Sequence, residues 1–421
     1  MRVGTIAGLG LFLAGWIWAQ SPPGKLTVEQ AVAEALEKNL GLMAERANVP
    51  IAQARAITAR LRPNPVLSTG GDHLPLLNTR FNEDNGAGPS EYNFRTDFVL
   101  ERGGKRQYRI ETAENARSVA ELAVLNSARG VILGVQGAFV ETLLAKESLE
   151  LARENLKSLN QIVEINAARL KAGDIAEVEL VRSRLAALQF ETTVRQWELK
   201  VRTALTRLQT LLGRPRPSGS FDIAGELRRD RAMPEVEEIR KMAREARPDL
   251  RGLERDVARA ESEVRLQLAQ GRVDYTVGTE YRRQQGVNGK SNSLGFFLSV
   301  PLPVADRNQG EIERARQEER QARVRVRALE SEIAGEVETA CQQALTAREL
   351  LESIENRMLG QARLVRDVTE YSYKRGEASL LEFLDAQRAF NETMQGHIEA
   401  RGEYARSLYL LDGVSGKVVG R

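Results

Sequence analysis

The side chains with the widest chemical repertoire are few in this 421-residue chain and stand far apart: two histidines, His73 and His397, and one cysteine, Cys341. A nitrogen- or sulfur-ligated metal site needs several such residues at close spacing, and neither a His-x-x-x-His pair nor a Cys-x-x-Cys pair occurs. The single cysteine also removes any disulfide within one chain. Gly103-Gly104-Lys105-Arg106 resembles part of a phosphate-binding loop. It lacks the earlier glycine, the following Ser or Thr and a buried strand ahead of it, so nucleotide binding is not expected. Acidic residues are abundant but alternate with arginines, as on solvated helix faces. The sequence offers no catalytic constellation, and the expectation is a protein that is not an enzyme, with no metal site and no cofactor.

With no reacting centre to position, the elements themselves must carry the function. The 61 basic and 58 acidic residues nearly cancel, to a formal charge of +3, which leaves no nucleic-acid footprint. Few aromatics (5%) and many charged residues (28%), with Ala, Leu, Arg and Glu prominent, favour long helices over packed globules. At the start, Arg2 precedes a nearly uncharged run from Val3 to Trp18, which reads as a secretory signal over residues 1–19 with cleavage near Ala19. The alternative is an uncleaved anchor. After this segment no apolar stretch of helical transmembrane length is expected, so any membrane crossing would use strands.

The chain reads as helix, strand, strand, long helix, break, long helix, and then repeats the pattern. The first repeat is placed at residues 20–212, a connector at 213–233, the second repeat at 234–412 and a tail at 413–421. Thr27 with Gln30 forms a capping box at the first helix start, and helical pattern runs to about Arg62, stopped by Pro63-Asn64-Pro65. Pro50 predicts a kink or break within it. In the second repeat Pro234 suits a first helical turn. Asn39-Leu40 and Pro248-Asp249-Leu250 fall at similar depth. Arg169 to Asp174 matches Tyr373 to Glu377, with Gly173 and Gly376 separated by 203 residues, a period that means domain duplication.

Each repeat holds two strand candidates, near 66–71 and 92–100 in the first and near 273–281 and 294–302 in the second. Tyr92, Phe94, Thr96, Phe98 and Leu100 alternate with polar neighbours, as do Tyr275, Val277, Thr279 and Tyr281. Leu294, Phe296, Leu298, Val300 and Leu302 continue the theme. The segments between, 72–91 and 282–293, read as polar loops. Segments of about nine residues with one apolar face are long enough for tilted membrane strands. Two ordinary hairpins capping a helical body are the alternative. Four strands cannot close a membrane barrel alone, so membrane strands here imply an oligomer.

From about Gly104 to Leu170 no proline interrupts the helical pattern, which at 1.5 Å per residue makes a rod of roughly 100 Å. In the return segments, Val178, Val181, Leu185 and Leu188 and then Val201, Leu205, Leu208 and Leu212 step by threes and fours, as do Phe383, Phe390, Met394 and Ile398. These stripes predict that each long helix packs antiparallel against its return partner. A purely structural coiled coil would show the same pattern.

The opening Leu26-Thr27-Val28-Glu29-Gln30-Ala31 with Ala35 and Asn39, the segment from Ala59 to Pro65 and the two glycine breaks resemble the outer membrane efflux protein family typified by TolC. The likeness covers essentially the whole chain after the signal. Leu100-Glu101-Arg102-Gly103-Gly104-Lys105-Arg106 and the run from Pro301 through Pro303, Arg307 and Asn308 to Gly310 resemble the CzcC-like branch that serves heavy-metal efflux pumps. The resemblance implies a mainly α fold with membrane β. It implies homotrimers in which each protomer gives four strands to a twelve-stranded barrel in outer-membrane lipid and paired helices to a long periplasmic helical barrel. It further implies a passive duct that works with a periplasmic adaptor and an inner-membrane pump of the RND type, and that binds no nucleic acid. By the same resemblance Arg169, Leu170, Gly173, Asp174 and Glu177, with Lys374, Arg375, Gly376, Glu377 and Leu380, form the periplasmic tips where the adaptor docks. Gly103, Gly104, Lys105, Arg106, Pro301, Pro303, Arg307, Asn308 and Gly310 mark strand-to-helix junctions. Drug or protein secretion through the same fold, or a periplasmic coiled-coil scaffold, are the competing functions.

Overall fold

The computed structural model describes residues 25–72, 74, 90–230, 233–286 and 289–417. The expected signal segment, His73 and most of the loop between the first two strands lie outside the described residues. In chain order the elements are β1 (Lys25–Leu26), α1 (Val28–Lys38), α2 (Leu40–Arg46), α3 (Asn48–Arg60), β2 (Val66–Asp72), β3 (Glu91–Leu100), α4 (Lys105–Ala172) and α5 (Glu177–Leu211). There follow β4 (Asp222–Ile223), α6 (Val236–Ala246), α7 (Pro248–Gln270), β5 (Tyr275–Gly286), β6 (Gly289–Ser299), α8 (Gln309–Ser353), a π-helical turn (Ile354–Met358), α9 (Leu359–Arg375) and α10 (Leu380–Val414). The protein is mainly helical with a small β component.

The start of α1 is fixed by a capping box, in which Thr27 N donates to Gln30 Oε1 at 3.0 Å and Gln30 N to Thr27 Oγ1 at 3.4 Å. The stretch expected to carry a kink or break at Pro50 is three helices. Its breaks fall at Asn39, whose side chain accepts from Leu42 N at 3.0 Å, and at Ala47. Pro50 sits in the first turn of α3, where its missing N–H would have had no intrahelical partner. Likewise Pro234 lies ahead of α6, and Pro248 is the proline that opens a helix, α7. Within the 213–233 connector, Asp222–Ile223 pairs in parallel with Lys25–Leu26. Lys25 and Lys146 both reach Asp222, at 3.1 and 2.6 Å, and hold its carboxyl below the ordinary range although burial opposes that ionisation.

Two compact units divide the chain. One holds the described residues 25–35, Val135–Arg228 and Ser353–Ala405. Its core joins Leu159, Ile162, Ala187, Tyr373, Leu380 and Phe383, with a second cluster of Leu149, Ala152 and Val194. Phe383, Phe390 and Ile398 are buried as their spacing predicts, and so are Leu208 and Leu212. Val178, Val181, Leu185 and Leu188 are not: each is more than half exposed, while Leu180, Ser183 and Ala187 turn inward. The stripe was assigned to the wrong partner, because periodicity identifies an apolar face without saying what covers it.

The other unit holds Leu36–Gly134, Arg229–Glu352 and the chain from Arg406. Four charges meet inside it. Arg247, 2% exposed, pairs with Asp249 at 2.6 Å and with Glu336, and Arg129 reaches Asp249 at 3.0 Å and the Gly413 carbonyl at 3.2 Å. Burial opposes the Asp249 charge, but hydrogen bonds from Arg247 and the nearby Arg129 outweigh it and hold the carboxyl below its ordinary value. Among the described residues one helix, α4, is long and apolar enough to cross a membrane by length and composition, where none was expected; 17% of that stretch is buried. Gly130, Gly134 and Gly137 lie among Val, Ile and Leu there, which gives an apolar window with few charges.

Candidate functional site

The sheet in the second unit has strand order β2-β3-β5-β6, antiparallel throughout. The two repeats meet at β3–β5, where Phe94 lies opposite Tyr281, Phe98 opposite Val277 and Leu100 opposite Tyr275. β5 continues the register onto β6 with Val277 opposite Leu298, Thr279 opposite Phe296 and Tyr281 opposite Leu294. Because side chains alternate across a strand, this register places the apolar positions of both repeats on one face. That face is uncovered: Phe94, Leu294, Phe296 and Leu298 are 51, 66, 78 and 66% exposed. An exposed apolar surface of this kind marks a face that another molecule or a membrane covers. The segment expected to be a loop at 282–293 is mostly strand, since Arg282 pairs with Ser293 and the ladder runs on to Gly286 opposite Gly289. Polar side chains do not end a ladder built from backbone hydrogen bonds.

The opposite face carries the charges. Arg95 pairs with Asp97 at 2.9 Å and lies 4.4 Å from the Phe297 ring centroid, and Arg282 pairs at 2.9 Å with Glu280, which is 6% exposed. Gly278 makes room for this group, since a Cβ there would collide with Asp97 Oδ1. β2 and β6 have no second neighbour among the described strands.

The junction residues converge on the short link between α7 and β5. Gly103 and Gly104 take positive φ (73° and 78°), turning the chain so that Lys105, 5% exposed, pairs with Asp274 at 2.8 Å while Arg102 N donates to the same carboxylate at 2.8 Å. Arg106 donates to the Arg60 carbonyl at 2.8 Å. From the second repeat, Asn308, at φ 65°, donates through Nδ2 to the Gln267 carbonyl at 2.8 Å, and the Arg307 carbonyl lies so near Gly271 that a Cβ there would approach to 2.7 Å. Asn is among the few non-glycine residues that tolerate this conformation. Arg307 Nε donates to the Pro303 carbonyl at 3.3 Å; Pro301 lies beyond the last paired residue of β6, and Gly310 is an open position in the first turn of α8. These residues build a structural junction.

In the first unit the two expected tip segments are brought together. Both close with the same motif: Gly173 N bonds to the Leu170 carbonyl and Asp174 N to that of Arg169, and Gly376 N bonds to the Tyr373 carbonyl and Glu377 N to that of Ser372. The glycines have φ of 85° and 82°. Arg169 then crosses between the repeats, donating to the Tyr373 carbonyl at 3.2 Å and the Lys374 carbonyl at 2.7 Å, so that one turn's cation caps the other helix's C-terminus. Leu380 is buried below; Asp174 and Glu177 are exposed. Lys374 pairs with Glu370, and Arg375 with Tyr371 and Glu377. Ser379 and Glu382 form a second capping box that keeps Glu382 ionised below the ordinary carboxyl range.

Sequence reasoning missed the residue at the centre of this arrangement. Tyr373 is 2% exposed, stacks on Phe383 at 5.5 Å and donates to Asn166 Oδ1 at 2.6 Å. Its place two positions before the helix end was visible, but its partner lies 207 residues away. Arg169→Met, which keeps the stem and removes both hydrogen bonds, is expected to destabilise the first unit by about 1–2 kcal/mol. A melting temperature unchanged from the parent would show that the clasp contributes nothing. Among the described residues no group of three or more His, Cys, Asp and Glu could hold a metal ion.

Long helices closed by paired glycine turns and a four-stranded sheet apolar on one face make up a fold that solved outer-membrane channels share. The crystal structure of the Campylobacter jejuni CmeC outer membrane channel aligns over 99% of this chain and 94% of its own at a TM-score of 0.78 and 14% identity. The sequence profile described as outer membrane efflux protein matches residues 31–214 and 239–417, and the chain belongs to that family. It is 23% identical over 402 residues to the cobalt-zinc-cadmium resistance protein CzcC of Cupriavidus metallidurans, covering 95% of this chain and 92% of the relative. It is 26% identical over 386 residues to the pyoverdine export outer membrane protein OpmQ of Pseudomonas putida, covering 86% and 80%.

Proposed function

We propose that the chain is the outer-membrane duct of a tripartite export system, receiving heavy-metal cations from an RND-type inner-membrane pump through a periplasmic adaptor. The observation that carries this reading is the sheet, with an apolar face open over several strands and two unpaired edges. In lipid those edges need partners, and copies of the chain that join β6 to the neighbour's β2 supply them, three copies giving twelve strands. The uncovered stripe Val178, Val181, Leu185 and Leu188 on α5, with Leu364, Val365, Val368 and Tyr371 on α9, supplies matching helical faces for the same assembly. Residues 20–212 and 234–412 then act as two like halves of each protomer, on either side of the 213–233 connector.

Metal cargo is favoured by the near full-length likeness to a cobalt-zinc-cadmium resistance protein. Export of a siderophore or drug is the second reading, favoured by the likeness to a pyoverdine export protein. The test is export of cobalt, zinc, cadmium and an organic cargo in cells lacking related channels, with the chain's abundance in the outer membrane measured alongside. Metal export restored by the chain supports the first reading; restoration of the organic cargo alone supports the second. Recovery of the protein as a detergent-free soluble monomer defeats both.

Pairing with the adaptor is assigned to the two glycine turns. Gly173 has open space around its Cβ position and Gly376 meets only the end of Arg169 at 4.0 Å, so each glycine is required by its positive φ rather than by crowding. Gly173→Val or Gly376→Val is expected to cost about 1–2 kcal/mol locally, to spare membrane insertion and to lower export several-fold. Asn at either position is expected to retain most export. Replacing His73 and His397 together is expected to leave export nearly intact. Full export by both valine variants at normal abundance, with loss in the histidine variant, would place recognition elsewhere.

A further inference from the structure

A cavity of about 390 Å³ opens in the first unit between α4, α5 and α10, away from the glycine turns and their clasp. Its walls combine three kinds of group. Phe190 and Trp197 supply aromatic rings, and the Trp197 ring already accepts a cation, with Lys200 Nζ 3.9 Å from its centroid. Glu392 and Glu399, seven residues apart on α10, carry no ion pair among the described residues, and Glu399 Oε1 accepts from the neighbouring Gln395 at 3.0 Å. Ser148, 1% exposed, and Asn391 present Oγ and Nδ2, both buried and without a hydrogen-bond partner in the protein. Leaving such groups unpaired is unfavourable, and the volume is within the usual range for small-molecule sites.

We propose that this cavity is a binding site for a small organic ammonium ion bearing a hydroxyl or carbonyl oxygen beside its charged nitrogen. Aromatic faces and carboxylates without a cationic partner are the two features that together select a poorly hydrated organic cation. The oxygen on such a ligand would accept from Asn391 Nδ2 and exchange a hydrogen bond with the Ser148 hydroxyl. A bare metal ion is disfavoured, since the carboxylates stand on the exposed rim and the buried donors include no further anionic oxygen.

Trp197 is the one tryptophan beyond residue 18, so once the expected signal over residues 1–19 is cleaved its emission reports on this cavity alone. The probe is choline, with 3,3-dimethylbutan-1-ol as a neutral molecule of the same shape. Choline is expected to change Trp197 emission saturably below about 10 mM in the purified protein, and the neutral alcohol is not. E392Q/E399Q, at exposed positions that leave folding intact, is expected to weaken choline binding at least about fivefold, and S148A by about threefold or more. A response that never saturates, that is equal for the neutral alcohol, or that is unchanged in E392Q/E399Q would overturn the proposal and leave a cavity that holds water only.

Discussion

Asp249→Ala is expected to destabilise the folded chain by about 3–5 kcal/mol, the largest single effect among the substitutions considered, because it leaves two buried cations facing each other. Arg247 is 2% exposed and spends two of its hydrogen bonds on Asp249, at 3.1 and 2.6 Å; Arg129 reaches the same carboxylate. Without that carboxylate Arg247 keeps only Glu336, whose side chain is 40% exposed. Thermal melting of the detergent-solubilised protein measures the loss, and a cycle with Arg247→Met separates the pair from its parts. Removing both charges should cost less than the two single losses added, since the double variant no longer buries an uncompensated charge at this pair. Additive losses would show that the two residues act independently. The Asp249 carboxyl is held below its ordinary value of 3.8, so its contribution is complete above that pH and is lost as the pH falls through the lower folded value. The parent should therefore melt at a steady temperature down to about pH 4 and lose stability below it, and Asp249→Ala should show a shallower acid limb.

Phe296→Arg is expected to cost the assembled protein about 2–4 kcal/mol and most of its outer-membrane oligomer, if the sheet lies in lipid as proposed. Phe296 is 78% exposed at mid-strand and lies opposite Thr279 on the face shared with Leu294, Leu298 and Phe94. In a water-exposed sheet an arginine there would be neutral or mildly favourable, so the sign of the effect discriminates between solvents. Ser293→Arg is the matched control, because Ser293 lies on the face that already holds Arg95, Asp97, Glu280 and Arg282. Its variant should assemble at parental yield. Heat-modifiable oligomer on gels of outer-membrane fractions reads both. Equal assembly of the two variants would remove lipid from the account of this face.

The helical character, the duplication and the apolar alternation of the strands were legible because each rests on local rules: propensity, capping and period. Thr27 with Gln30, Asn39, Gly173 and Gly376 act through neighbours within about five residues, and each signal could be read without knowing the fold. Pro50 and Pro234 marked helix boundaries to within a few residues, at Ala47 and Glu235, because a proline signals a boundary without fixing which neighbouring residue caps the helix. Residues 282–293 read as a loop from their polar side chains, whereas ladder hydrogen bonds come from the backbone and extend as far as a partner strand does.

What the sequence determined by itself is therefore a set of faces and turns: which positions along each strand are apolar, where the long helices end, and that the unit occurs twice. Only the tertiary structure decided which faces meet. The register of β3 on β5 set the apolar residues of both repeats on one side, since a slip of one residue would have divided them. The clasp of Arg169 on Tyr373 and Lys374, and the meeting of Arg129 and Asp249, join residues 204 and 120 positions apart. No local rule reaches that far, because contacts between distant segments depend on the free energy of packing the whole chain.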